Sequence, residues 1–232
     1  EYGEDGEIQK ILDNLHIPYT GSGHFSSNLA MNKFLAKNLA GRHGVKTPVG
    51  FLVSRNEDID IAARNIFRKL APPWIIKPVN LGSSIGLFIS KSFDNLPQLI
   101  WEGLSFSDRV LVEEYIAGQE ATCAVVDSFR GRRFYALPPI EIKPPKDKAI
   151  FDYEAKYSGL TEEICPSGFS LDEKETGQNL AIKIHELFGL RHYSRSDFII
   201  SRRGVYFLET NTLPGLTEES LLPKAIAAVG SN

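Results

Sequence analysis

The stretch Ser196-Asp197-Phe198-Ile199-Ile200-Ser201-Arg202-Arg203-Gly204-Val205-Tyr206-Phe207-Leu208-Glu209 leaves the chain few options. Two runs of β-branched and aromatic residues flank a turn that contains glycine, the pattern of a β-hairpin. A three-residue loop Arg202-Arg203-Gly204, with glycine where a positive φ is needed, predicts that Ile199 pairs with Phe207 and Asp197 with Glu209. Residues paired in this way lie roughly 5 Å apart, so the two carboxylates would repel one another. Asn211 stands two residues beyond Glu209, on the same face. Two carboxylates and an amide oxygen make a hard-oxygen set suited to Mg²⁺, which takes one or two carboxylates together with phosphate oxygens. The competing reading is a solvated polar strand face, but Arg195 alone would not neutralise both acids.

A complementary signal lies earlier. Lys77 ends an apolar strand, Trp74–Lys77, and is followed by Pro78 and then Gly82-Ser83-Ser84-Ile85-Gly86. Small residues let backbone N–H groups approach phosphate oxygens, and the two hydroxyls add donors. This is not a Walker A loop, because no Gly-Lys-Ser/Thr closes it and no helix follows. Lys33 lies in a helical pattern after Gly21-Ser22-Gly23. Taken alone, the Gly-Ser-Ser string also reads as a plain turn, and Lys33 as a solvated helix residue.

The rest of the chain frames these signals. With 232 residues, 42% of them hydrophobic, it can bury one large domain or two small ones. A net charge of −3 and a pI near 6.0 give no broad positive field for nucleic acid or an anionic membrane. The longest apolar runs fall far short of the roughly 20 residues a membrane span needs. Glu1-Tyr2-Gly3-Glu4-Asp5-Gly6 is acidic where a secretory leader would be basic. Cys123 and Cys165 form no Cys-x-x-Cys pair and read as two reduced structural thiols of a cytoplasmic protein.

Periodicity predicts a helix through Ile8, Ile11, Leu12 and Leu15. A second is expected to run from a Ser26 or Ser27 cap through Leu39 to Gly44. A strand at Val49–Val53 and a helix through Ile59–Leu70 come next, then strands at Trp74–Lys77 and Ser84–Ser90. Leu96–Leu104 reads as helix and Arg109–Tyr115 as strand. A second block, joined near residue 117, opens with a hairpin of Glu120–Val126 and Arg133–Leu137. Pro138–Gly168 reads as a long ordered loop, followed by a helix at Leu171–Phe188, the acidic hairpin and a closing helix at Leu221–Val229.

Taken together the residues resemble the ATP-grasp superfamily, and within it the D-alanine–D-alanine ligases. The matching text is Gly3-Glu4-Asp5-Gly6, Ile17-Pro18-Tyr19-Thr20-Gly21-Ser22-Gly23, Ala30-Met31-Asn32-Lys33, and Ile76-Lys77-Pro78 with Gly82–Gly86. It continues with Val110–Tyr115, Phe151-Asp152-Tyr153-Glu154-Ala155-Lys156-Tyr157 and Glu209-Thr210-Asn211-Thr212-Leu213-Pro214-Gly215. The motifs occur in family order from the first residue to the last.

The resemblance implies an α+β, ATP-grasp fold with two α+β subdomains clamping ATP. Residues 1–21 would be the remnant of an N-terminal substrate domain, 22–116 a central subdomain and 117–232 a C-terminal one. On this reading the chain is a piece of a longer protein that lacks most of the first-substrate pocket. The implied reaction phosphorylates the carboxylate of one D-alanine with ATP and lets the amine of a second attack, for peptidoglycan precursor synthesis. Lys33 and Lys77 would hold phosphates, with Ser83 and Ser84 over them, on the block opposite the metal trio. Glu113, Glu114, Tyr115 and Ile116 would line the adenine pocket, and Glu120 would meet the ribose. Asp197, Glu209 and Asn211 would bind Mg²⁺ or Mn²⁺.

Arg195 and the N–H of Gly215 would form the oxyanion hole, with Ser83 and Tyr157 beside the reacting groups. Tyr157 stands where the alanine-type ligases carry Tyr, so it points to an alanine-type product. Lys156, counted also among the ATP contacts, would receive the second substrate's carboxylate with Ser220 and Leu221. Pro144–Ser167 would be a lid over ATP. The resemblance also implies a cytoplasmic enzyme, a homodimer when full length, with neither nucleic acid nor membrane as partner.

The sequence departs from the family pattern in places. Asn32 stands where Asp is common, Asn80-Leu81 replace a charged pair, Ser196 replaces an apolar residue, and Glu218-Glu219 precede Ser220. Two carboxylates beside a site meant for a carboxylate would oppose binding unless they point away. An ATP-grasp ligase for another amino acid or a hydroxy acid therefore stays open, as does a nucleotide-binding module without catalysis.

Overall fold

The computed structural model describes residues 3–82, 85–143 and 162–231, in two compact units. One comprises residues 3–47, 118–143 and 162–231; the other is residues 48–117. Residues 22–47, expected with the central subdomain, instead belong with the C-terminal part of the chain. The reason is apolar packing, since Ala36, Ala40 and Val45 share a buried cluster with Phe198, Val205 and Phe207.

In chain order, helix α1 (Glu7–Asn14) is followed by α2 (His24–Met31) and α3 (Lys33–Arg42). Sequence periodicity predicts one helix across the last two, but Asn32 breaks it with an extended ψ of 95°. Its side-chain oxygen accepts the N–H of Leu35 at 3.0 Å, so the polar residue ends one helix and caps the next. Lys33 thereby becomes the first residue of a new helix.

Residues 48–117 hold strands β1 (Gly50–Ser54), β2 (Trp74–Pro78), β3 (Phe88–Ser90) and β4 (Arg109–Glu114), with α4 (Ile59–Lys69) and α5 (Leu96–Phe106). The sheet order is β1-β4-β2-β3, antiparallel throughout. Trp74 and Ile76 on β2 and Val110 and Val112 on β4 pack with Ala63, Ile66, Ile100 and Leu104 of the helices. By alternation along each strand, Lys77 and Glu113 share the face opposite those helices.

The larger sheet contains β5 (Gln119–Phe129), β6 (Arg132–Ala136), β7 (Ile140–Lys143), β8 (Glu162–Ile164), β9 (Tyr193–Ser201) and β10 (Gly204–Asn211). Its order is β10-β9-β5-β7-β8, and β6 also pairs with β5. Helix α6 (Leu171–Leu187) starts at a reciprocal capping box between Ser170 and Glu173. Its residues Ala181 and Ile184 join Cys123, Val125, Phe198 and Phe207 in the core. Helix α7 (Leu221–Ala227) closes the described chain.

The region expected to be one loop, Pro138–Gly168, includes β7 and β8. Ile140 and Ile142 are buried and pair with Thr122 and Glu120 of β5, a two-residue period hidden in sequence by flanking prolines. Cys123 is buried, and burial pushes its thiol up to about 12, as an inert structural thiol requires.

One buried polar network braces the core side of this sheet. His185, fully buried on α6, places Nε2 2.9 Å from Asp127 and Nδ1 2.7 Å from the Ser194 hydroxyl. Asp127 also accepts the N–H of His192 at 2.6 Å.

Candidate active site

The β9–β10 hairpin is built on a two-residue connection, with Ser201 paired to Gly204. Gly204 takes a φ of +113°, open to glycine at little cost. The expected pairing of Ile199 with Phe207 is therefore off by one: Ile199 meets Tyr206, and Phe207 meets Phe198. The cause is the core, where Phe198 and Phe207 are both almost fully buried with ring centroids 6.1 Å apart. A bulge between Phe207 and Glu209 then makes up the missing residue. Beyond it, Glu209 pairs with Asp197 and Asn211 with Arg195. The bulge carries Glu209 and Asn211 onto the face opposite Phe207, a known use of bulges beside functional sites.

On that face Asp197 is the centre. Arg195 grips it with both prongs, Nε to Oδ1 at 3.0 Å and a terminal nitrogen to Oδ2 at 3.1 Å. Thr122, its partner on β5, donates to Oδ1 at 2.6 Å. Burial is the largest influence on the Arg195 guanidinium and pulls its pKa down. Asp197, Glu209 and Glu120 outweigh it, so the net displacement is upward and the cation is permanent. Glu209 is met by Lys33, whose ammonium lies 3.1 Å from Oε2. Lys33, expected on the block opposite the trio, thus stands within the same unit and against it. The Asn211 amide oxygen accepts the N–H of Leu213 at 2.9 Å, which orients it.

Farther along, Gly215 and Ser220 are pressed together, since a Cβ on Gly215 would fall 2.5 Å from the Ser220 hydroxyl. That hydroxyl lies 2.9 Å from Thr217, and Ser220 precedes the first residue of α7, Leu221. Leu221 and Arg195 line one cleft with Thr122, Ala124, Pro138, Ile140 and Ala225. Glu219 is turned onto Lys224 at 3.4 Å, and Lys224 also holds Glu163 at 2.9 Å.

In the other unit Lys77 and Glu113 form an ion pair at 2.8 Å, both nearly buried at 8% and 2% exposure. Glu114 accepts the N–H of Val49 at 3.1 Å, Tyr115 donates to the Pro73 carbonyl, and Ile116 is buried. Ser83, Ser84, Lys156 and Tyr157 lie outside the described residues, as does most of the expected lid.

The donor set fits a hard cation. Among the described residues no three His, Cys, Asp or Glu side chains converge, so the candidate is the mixed set of Asp197, Glu209 and Asn211. All three offer oxygen, and the carboxylates keep acceptor capacity beyond the contacts above. Thr122 escaped the sequence reading. It lies two residues from Glu120 on the same strand face, but only the β5–β9 pairing places it on Asp197.

A family model described as the D-ala D-ala ligase C-terminus matches residues 44–232. This chain belongs to the D-alanine–D-alanine ligase family. It is 40% identical over 229 residues to the D-alanine–D-alanine ligase of Syntrophobacter fumaroxidans, covering 98% of this chain and 72% of that protein. The corresponding ligase of Desulfotalea psychrophila is 41% identical over 232 residues, with 99% and 70% covered. Among solved structures, the Bacillus anthracis ligase complexed with ATP matches with a TM-score of 0.82 at 29% identity, over 99% of this chain and 71% of that one. The VanG D-Ala:D-Ser ligase of Enterococcus faecalis matches with a TM-score of 0.86 at 30% identity, over 98% and 65%. The ATP-grasp fold expected from the motifs is the fold of these D-alanine–D-alanine ligases.

Proposed function

We propose that this chain carries the ATP-dependent ligase activity of its family, joining two D-alanines through an acyl phosphate for peptidoglycan precursor synthesis. The observation that carries the reading is the face formed by Asp197, Glu209 and Asn211 with Arg195 at its side. Phosphoryl transfer needs positioning and charge neutralisation more than covalent help from the protein, and this face supplies both.

A carboxylate oxygen of the first D-alanine attacks the γ-phosphorus, and ADP leaves. The amine of the second then attacks the acyl carbon, a proton is lost from nitrogen, and inorganic phosphate departs. Asp197, Glu209 and Asn211 would hold Mg²⁺, which when bound neutralises phosphate charge. Lys33 and Lys77 hold phosphate oxygens, and Ser83 and Ser84 add hydroxyl donors to them. Glu113 to Ile116 line the adenine pocket, and Glu120 meets the ribose. Arg195 and the Gly215 N–H stabilise the oxyanion of the tetrahedral intermediate. Ser220 and the backbone of Leu221, with Lys156, take the carboxylate of the second substrate, and Tyr157 orders the reacting groups. The reading further includes a cytoplasmic location, where ATP is at hand, and, from the family likeness, a homodimer of the full-length protein.

A second reading, a ligase for another acceptor, draws on Glu218-Glu219 before Ser220 and on the likeness to a D-Ala:D-Ser ligase. The pairing of Glu219 with Lys224 weakens the electrostatic part of that argument. ADP release and product analysis against D-alanine, D-serine, D-lactate and the L-amino acids separates the two. D-alanyl-D-alanine as the main product supports the first reading, and a preference for another acceptor replaces it with the second. An Asp197→Asn/Glu209→Gln variant with full activity would sink the metal assignment.

A further inference from the structure

The two carboxylates of the acidic face are met by cations of different character. Asp197 is fixed by three donors, two from the planar fork of Arg195 and one from Thr122. Withdrawing that fork would leave a buried carboxylate without its charge partner, which is costly. Glu209 is about a quarter exposed and is met by Lys33, a compact charge on a flexible four-carbon stem. Asn32 caps α3, which begins at Lys33, so turning the lysine's own stem suffices to move the ammonium without disturbing the helix start.

We propose that Lys33 is a placeholder for the metal. In the nucleotide-free protein its ammonium neutralises Glu209. A divalent cation takes that position when nucleotide arrives, and the phosphates receive the ammonium in exchange. The inference rests on the reading of Asp197, Glu209 and Asn211 as the metal set and of Lys33 as a phosphate ligand. A divalent cation arriving at Glu209 is repelled by the ammonium 3.1 Å from that carboxylate, and phosphate charge between the two cations relieves the repulsion. The metal therefore binds the bare protein weakly and the nucleotide complex tightly. By linkage, nucleotide affinity rises with metal by the same factor.

The test is Mn²⁺ binding, read from the electron paramagnetic resonance of free Mn²⁺, on the nucleotide-free chain. Lys33→Met is expected to bind Mn²⁺ about tenfold more tightly than wild type, a factor equal to about 1.4 kcal/mol, and Lys33→Met/Glu209→Gln to lose that gain. Equal affinities for Lys33→Met and wild type, or a gain that survives in the double variant, overturn the placeholder. Because Lys33→Met exposes two facing acids to each other, Lys33→Gln and the thermal midpoint are read as well. Mn²⁺ should raise the midpoint of either variant more than that of wild type, and equal shifts count against the proposal. Wild type with a non-hydrolysable ATP analogue closes the set. If it holds no Glu209-dependent Mn²⁺, the metal reading fails and the placeholder with it. If it holds Mn²⁺ normally while Lys33→Met gains nothing, the placeholder alone fails.

Discussion

Asp197 and Glu209 face one another across the β9–β10 hairpin because one extra residue, Leu208, stands in β10 between them and the turn. On the turn side of Leu208 the register serves the core, with Phe207 on Phe198. On the far side it serves the acidic face. The two demands differ in phase by one residue, and a bulge is the local means of meeting both.

Deleting Leu208 should therefore do far more harm than shortening it. Without the bulge either Phe207 leaves the core or Glu209 and Asn211 change face. The deletion is expected to cost more than about 4 kcal/mol or to prevent folding, whereas Leu208→Ala, at a half-buried position, should cost about 1 kcal/mol. Urea unfolding of the two variants beside wild type checks the contrast, and equal losses would contradict it.

Lys77 and Glu113 make a nearly buried pair, so removing one partner takes from the other a charge contact that offsets its burial. Lys77→Met should destabilise by about 3 kcal/mol, and Lys77→Met/Glu113→Leu should recover most of that loss. Neither variant should regain nucleotide affinity if Lys77 holds phosphate. Thermal unfolding and binding of a fluorescent ATP analogue read the two effects separately.

Gly215→Ala would drive a methyl group to 2.5 Å from the Ser220 hydroxyl. The backbone there has no call for a left-handed φ, so the fold should survive with a small stability change. Displacement of Ser220 should raise KM for the second amino acid about tenfold, an effect near 1.4 kcal/mol, and leave KM for ATP within about twofold. Steady-state kinetics with each substrate varied in turn decides this.

His185 gives the fold a pH dependence of definite sign. Burial, its largest influence, lowers its pKa below the ordinary 6.5, and Asp127 only partly opposes this. The unfolded chain then binds a proton that the folded chain refuses over the window from 6.5 down to the folded value. Stability must fall as pH drops through that window. His185→Gln should be less stable at pH 8 but show a shallower loss between pH 6.5 and 5. Urea midpoints across that range measure it, and parallel curves would refute it.

Much of this was legible in the chain itself. The Asp197–Glu209 pair followed from residue types alone, although through a loop one residue too long. The bulge that rescued the pairing depends on where Phe207 finds its core, and no local pattern reveals that. The helix from Ser26 to Gly44 was expected unbroken because a lone Asn inside a helical period costs little. Its role as a cap shows only in the backbone at Asn32. Lys33 was assigned to the wrong unit for a related reason, since helix faces Ala36 and Ala40 do not say which sheet they will cover. Strands β7 and β8 were lost among prolines. Thr122 needed the β5–β9 partnership, a contact between segments more than seventy residues apart.

Both lysines proposed to hold nucleotide phosphates already have carboxylate companions, Lys33 in Glu209 and Lys77 in Glu113. A phosphate must win each ammonium from a rival, so its contacts count fully toward fit and only partly toward affinity. When ADP leaves, the same carboxylates are there to take the lysines back. Turnover in many enzymes waits on product release. A nucleotide gripped by contested cations has a shorter residence than one gripped by idle ones.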